Sequence, residues 1–250
     1  MLTAIRHDDV LELRLARPPV NALDPGLVRA LSEALERAPH EGARAIVLSG
    51  APGMFSAGLD IPALLALDRA AMLDFWRRFF ELLRLIATSS VPVAAAITGH
   101  SPAGGAVLAL YCDARFAADG DFKIGLNEVQ VGLPLPPVIH AALVRQIGPR
   151  QAERLAVRGL LIDPREAERI GLVDRVVAAG DVIETALAWC REVLTLPPRA
   201  MAQTRELARH DFIRLFRDVG EPSWEDMTDV WFSEETQAAL RAVMERLKKK

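Results

Sequence analysis

The sequence predicts an α/β fold that ends in a helical C-terminal region. Strand-like apolar runs alternate with helix-spaced segments up to about residue 196, the pattern of layered α/β architecture. Beyond Pro197–Pro198 only helical spacing remains, so the chain divides into a core of residues 1–196 and a helical region of 197–250. With 51% hydrophobic and 25% charged residues over 250 positions, the composition is globular and can bury a sizeable core.

"VLELRLAR" alternates apolar and polar residues, as a half-buried strand does. "PGLVRALSEALERA" has helical spacing, with Asp24 as N-cap and Pro25 at the first helical position. "ARAIVLSG" reads as a buried strand running into a Gly-rich turn. A long helix follows from Asp68 to Thr88, with apolar positions at Met72, Phe75, Phe79, Leu83 and Ile86. "PVAAAITG" is a further strand, "AGGAVLALYC" a helix and "ARFAA" a strand. "PRQAERLAVRG", "DPREAERIG" and "DVIETALAWCREVL" read as helices, interrupted by the short apolar "LVDRVV". In the last helix Leu240, Val243, Met244 and Leu247 form a narrow apolar stripe.

A net charge of −3 gives no reason to expect nucleic acid or an anionic membrane as partner. Lysine occurs only at Lys123 and in the tail Lys248, Lys249 and Lys250, which reads as a solvated end or as a contact for an anionic ligand. Cys112 and Cys190 lack metal-ligand spacing and read as buried thiols of a reducing compartment. Charges come too early at the N-terminus for a signal peptide. The uncharged run between Arg84 and Asp113 is long enough to raise a membrane span. Pro92, Gly99, Pro102 and Gly104–Gly105 break it, so a buried strand, turn and helix explain it better.

Three segments are suited to chemistry. "MFSAGLDIPAL" and "ITGHSPAGGAVLAL" are strand-to-helix turns that present backbone N–H groups, and two such donors on one carbonyl oxygen stabilise an enolate. "GHSPA" approaches the G-x-S-x-G nucleophile elbow, with Asp174 and His210 following in hydrolase order. Pro102, however, stands where that elbow needs an N–H donor, and it has none. The third segment, "IGLNEVQVGLPLPP", carries one carboxylate, Glu128, in otherwise apolar surroundings. Desolvation raises the pKa of such a group toward the range of a general base.

"FSAGLDI", "GHSPAGGAVLALYCD" and "IGLNEVQVGL", in this order and spacing, resemble the crotonase superfamily of enoyl-CoA hydratases and isomerases. "RPPVNALD" and "GPRQAERLAVRGLLIDPREAERIGLVDRVV" extend the resemblance over nearly the whole chain. It implies a spiral of ββα units, a C-terminal helical region used for trimerisation, and trimers or dimers of trimers. It implies an oxyanion hole made by the N–H groups of Leu59 and Gly104, with Glu128 as the acid/base residue. Ala57, Gly58, Asp60 and Ile61 would line the acyl-CoA path, with Asn127 beside the substrate. Coenzyme A would enter as part of the substrate, with no metal, nicotinamide or flavin, in a cytoplasmic enzyme. Phe75, Trp76, Phe79 and Phe80 would line the acyl tunnel or serve as core.

Hydratases of this superfamily use two glutamates, the second three residues past the oxyanion-hole glycine. That position here is Val107. With one carboxylate the resemblance shifts toward the mitochondrial-type Δ3,Δ2-enoyl-CoA isomerases, in which a single base moves a proton from the alpha to the gamma carbon. A hydratase, another CoA-ester enzyme or a non-catalytic CoA-ester-binding protein remain the alternatives.

Overall fold

The computed structural model describes residues 1–218 and 224–248. Residues 219–223, Lys249 and Lys250 lie outside these residues.

The chain winds through repeated strand–strand–helix turns. The first comprises β1 (Leu2–His7), β2 (Val10–Leu15) and α1 (Pro25–His40). The second comprises β3 (Ala45–Ser49), β4 (Gly53–Met54), α2 (Ile61–Leu65) and α3 (Arg69–Thr88). The third comprises β5 (Val93–Ile97), β6 (Gly99–Pro102) and α4 (Gly104–Leu110). The fourth comprises β7 (Ala114–Ala118), β8 (Ile124–Gly125), a 3-10 helix (Glu128–Val131) and α5 (Pro137–Ala156). Then come α6 (Pro164–Arg169), β9 (Arg175–Val177) and α7 (Val182–Leu194).

The main sheet has the order β1-β2-β3-β5-β7-β9, parallel except for the β1–β2 hairpin. A small parallel sheet, β4-β6-β8, stacks the second strands of successive turns. This is the spiral of ββα units expected from the resemblance.

Strand periodicity explains why β3 reads as a continuous apolar run. Its Ile46 and Leu48 enter the core against α1, α3 and α4, while Ala45 and Val47 pack against α7. Both faces are covered, so no polar alternation is needed. Asp24, Asp68 and Asp163 cap α1, α3 and α6, accepting from Leu27, Ala71 and Glu166 N–H at 2.7, 2.8 and 2.8 Å.

Two expectations need correction. "GHSP" is not part of a turn: it forms β6, which pairs with two-residue partners too short to show a period. Gly53 and Gly99 face each other so closely that a Cβ on Gly99 would lie 2.0 Å from the Gly53 carbonyl carbon. The run read as a helix around Pro149 joins α5 through a kink at Gly148, where φ is +75°.

The C-terminal helices are α8 (Pro198–Ala208), α9 (His210–Asp218), α10 (Trp224–Trp231) and α11 (Glu234–Lys248). They fold back over their own chain: α9 on α3 and α5, α10 along α3, and α11 across α2 and the 3-10 helix. Buried Arg209, between α8 and α9, pairs with Asp113 at 3.0 Å and donates to the Tyr111 carbonyl at 2.7 Å. Arg205 binds the same Asp113 through two bonds of 2.8 Å. Among the described residues no helix is long and apolar enough to cross a membrane.

Candidate active site

The first turn of the site is built around Ser56, whose hydroxyl donates to the Asn21 carbonyl at 2.8 Å and accepts from Gly58 N–H at 3.2 Å. Gly58 has φ +86°, a conformation open to glycine at little cost. Its carbonyl accepts from Leu23 N–H at 2.7 Å, and Asp60 N–H donates to the Leu23 carbonyl at 3.1 Å. Leu59 thus lies in a one-residue parallel bridge to Leu23 that uses its neighbours' groups, leaving its own N–H free.

The second turn runs from β6 into α4. Ala103, with φ +46° and ψ −123°, is held in a region costly for a residue with a Cβ. Its N–H donates to the Gly125 carbonyl at 2.8 Å, tying the turn to β8. Gly104 then opens α4, so its N–H has no intrahelical acceptor. The two turns meet: a Cβ on Gly58 would lie 2.9 Å from the Ala103 Cβ and 3.0 Å from the Gly104 nitrogen. Among the described residues neither the Leu59 nor the Gly104 amide has an acceptor.

Leu59 and Gly104 belong to the wall of one cavity of about 490 Å³. That wall is mainly apolar, including Trp76, Phe79 and Phe80 from α3, Pro102 from the end of β6 and Val107 from α4. Glu128 and Asn127 complete it, from the 3-10 helix and its N-cap. Glu128 Oε2 and Asn127 Oδ1 are both shut off from solvent and without a hydrogen-bond partner. Burial pushes the Glu128 carboxyl up to about 7, against a smaller opposing pull from its own backbone N–H. The 3-10 helix is anchored from the far end of the chain: Thr236 of α11 donates to the Gly132 carbonyl at 2.8 Å.

Asp226 is the other carboxylate on the wall, and it is exposed. Val107, one helical turn past Gly104, is 1% exposed and reaches the same cavity. No carboxylate therefore stands at the position where the hydratase arrangement would have its second.

Of the residues expected along the acyl-CoA path, Ala57, Leu59, Ile61 and Asn127 line the cavity. Gly58 and Asp60 do not. Gly58 is pressed against the second turn, and Asp60 is used in the scaffold. Its carboxylate caps α2 through Ala63 N–H at 2.9 Å and pairs with Arg17 at 2.6 Å. Arg17 also pairs with Asp24 at 3.1 Å, so it is bound into the scaffold. The elbow reading fails on geometry: Ser101 is fully buried with its hydroxyl unpartnered, and Asp174 is paired with Arg115. His100 is structural, accepting from Lys123 N–H at 3.1 Å and packing edge-on against Phe122.

The residues that sequence reasoning missed come from the C-terminal helices. Met227 and Val230 of α10 and Val243 of α11 line the cavity. Val243 was visible as part of an apolar stripe. Trp224 packs on Phe80 at 5.1 Å and Trp231 edge-on against Trp76 at 6.0 Å, which brings α10 over the pocket. Trp76, Phe79 and Phe80 serve as core and as cavity wall together, whereas Phe75 is core alone.

Residues 6–249 match the enoyl-CoA hydratase/isomerase family. The chain is 33% identical to mouse (Mus musculus) mitochondrial enoyl-CoA delta isomerase 1 over 244 residues, 96% of this chain and 84% of that protein. It is 35% identical to a putative enoyl-CoA hydratase of Thermus thermophilus over 191 residues, 75% of each chain. The crystal structure of human mitochondrial delta3-delta2-enoyl-CoA isomerase superposes with a TM-score of 0.91 at 32% identity, covering 99% of this chain and 98% of that one. Sequence, spiral fold and the meeting of the two turns agree, and the chain belongs to the enoyl-CoA hydratase/isomerase family, the crotonase superfamily, as one of its enzymes.

Proposed function

We propose that the protein moves the double bond of an unsaturated acyl-CoA thioester from position 3 to position 2. The thioester carbonyl sits between the N–H groups of Leu59 and Gly104, which stabilise negative charge on its oxygen. Glu128 removes a proton alpha to that carbonyl, the dienolate delocalises, and the protonated Glu128 delivers a proton to the gamma carbon. A pKa of about 7 makes the group a competent base near neutral pH and, once protonated, a competent acid.

The observation that carries the isomerase over the hydratase is Val107. Its isopropyl group occupies the wall where a second carboxylate would activate water, and it neither accepts a proton nor orients a water. Coenzyme A enters with the substrate, no further cofactor takes part, and the enzyme is a cytoplasmic trimer or pair of trimers. The test mixes the protein with a trans-3-enoyl-CoA and follows ultraviolet absorbance of the conjugated 2-enoyl thioester, with mass spectrometry for added water. Conjugation at unchanged mass supports the isomerase. Efficient hydration of a 2-enoyl-CoA defeats it.

A further inference from the structure

Glu128 belongs to the walls of two pockets. Beside the cavity already described lies a second, of about 260 Å³. Among the described residues the two share Glu128, Pro134 and Leu135 and no other lining residue. The second pocket's remaining wall includes His140 and Glu153, both exposed, and Val157, which is 70% exposed. Its surroundings are therefore wet and carry two groups able to pass protons, whereas the first cavity is walled largely by apolar side chains.

We propose that the proton Glu128 takes from the substrate exchanges with solvent through this second pocket before it is returned. The inference rests on Glu128 being the base, as read above. Proline and leucine side chains carry no proton, so of the three shared residues only Glu128 can pass one between the pockets. The balance is simple. The C2–H bond breaks and its proton joins the Glu128 carboxylate. That proton leaves to water at the second pocket and a solvent proton replaces it. The replacement forms the new C4–H bond as the double bond moves to position 2. Exchange on this side spares the dienolate contact with water, and a carboxyl whose pKa lies near neutrality releases its proton readily.

The experiment runs the reaction of trans-3-hexenoyl-CoA in heavy water, following bond migration by absorbance and deuterium at C2 and C4 by mass spectrometry and NMR. Val157→Trp covers the second pocket from an exposed position, and His140→Phe removes its imidazole. Neither residue touches the substrate cavity. The wild-type product should carry deuterium at C4. Both variants should keep their turnover while that label falls several-fold. A wild-type product without label, or label unchanged in both variants, overturns the route while leaving the isomerase standing. Protein that neither migrates the bond nor exchanges the alpha protons overturns the route and the base assignment together.

Discussion

Gly58 and Gly104 meet backbone to backbone: a Cβ on Gly58 would lie 3.0 Å from the Gly104 nitrogen, and one on Gly104 3.2 Å from the Gly58 Cα. The contact sets the separation of the Leu59 and Gly104 amides. Gly58→Ala meets both a crowded site and a φ of +86°. Strain of this kind costs about 1–3 kcal/mol, and a misplaced oxyanion donor costs about 10²–10³ in kcat. Steady-state kinetics and thermal melting should show both losses, with KM changing less than kcat.

Glu128→Gln keeps the shape of the side chain and removes its basicity. Turnover on a 3-enoyl-CoA should drop by about 10²–10⁴-fold, with folding and CoA-ester affinity retained. For the wild type, kcat/KM should fall as pH drops through about 7, where the carboxylate becomes protonated. Near-normal turnover in the variant would assign the base to another group.

The same carboxyl links stability to pH. Its folded pKa is raised from 4.5 to about 7, so the folded state binds the extra proton between those values. This contribution to stability is full below about 4.5 and is lost as pH rises through about 7. Glu128→Gln lacks the effect, and its stability relative to wild type should increase from pH 5 to pH 8. Urea denaturation of both proteins across that range measures the difference.

Val107→Glu places a carboxylate at the wall position where the hydratase arrangement has its second. We expect measurable water addition to a 2-enoyl-CoA, seen as a mass gain of one water, and a lowered melting temperature. An uncompensated polar group buried there costs about 1–3 kcal/mol, and a charged one more. A variant that melts like wild type but adds no water would show that position 107 does not decide between the two reactions.

Arg209→Met strips the clamp that joins the C-terminal helices to the end of α4. Arg209 donates to the carbonyls of Tyr111 and Cys112 and to Asp113, all at the C-terminal side of the helix that Gly104 opens. Asp113 retains Arg205, which places the cost near the lower end of the range for a broken buried pair, about 3 kcal/mol. The urea midpoint should fall accordingly.

Much of the architecture was legible because its signals are local. An Asp before a helix declares its cap, as Asp24 does, and a run such as "AIVLS" declares a buried strand; the structure adds the same cap at Asp68 and Asp163. Glu128 stood out for a similar reason: a lone carboxylate among apolar neighbours is unusual over any short window. The small sheet was not legible, because β4 and β8 span two residues each and two residues have no period. Nor does a string of letters reveal that Asp60, beside the site in sequence, is held by Arg17 and the start of α2.

From sequence, then, came the α/β layering, the two N–H-bearing turns, the candidate base and the valine that replaces a second acid. Folding settled the rest: that residues 58 and 104 touch, that burial raises the Glu128 carboxyl toward neutrality, and that α10 and α11 close the cavity with Met227, Val230 and Val243. The division has a physical cause. Caps and periodicity depend on interactions within a few residues, whereas desolvation and close packing depend on segments more than 100 positions apart, such as Gly132 and Thr236.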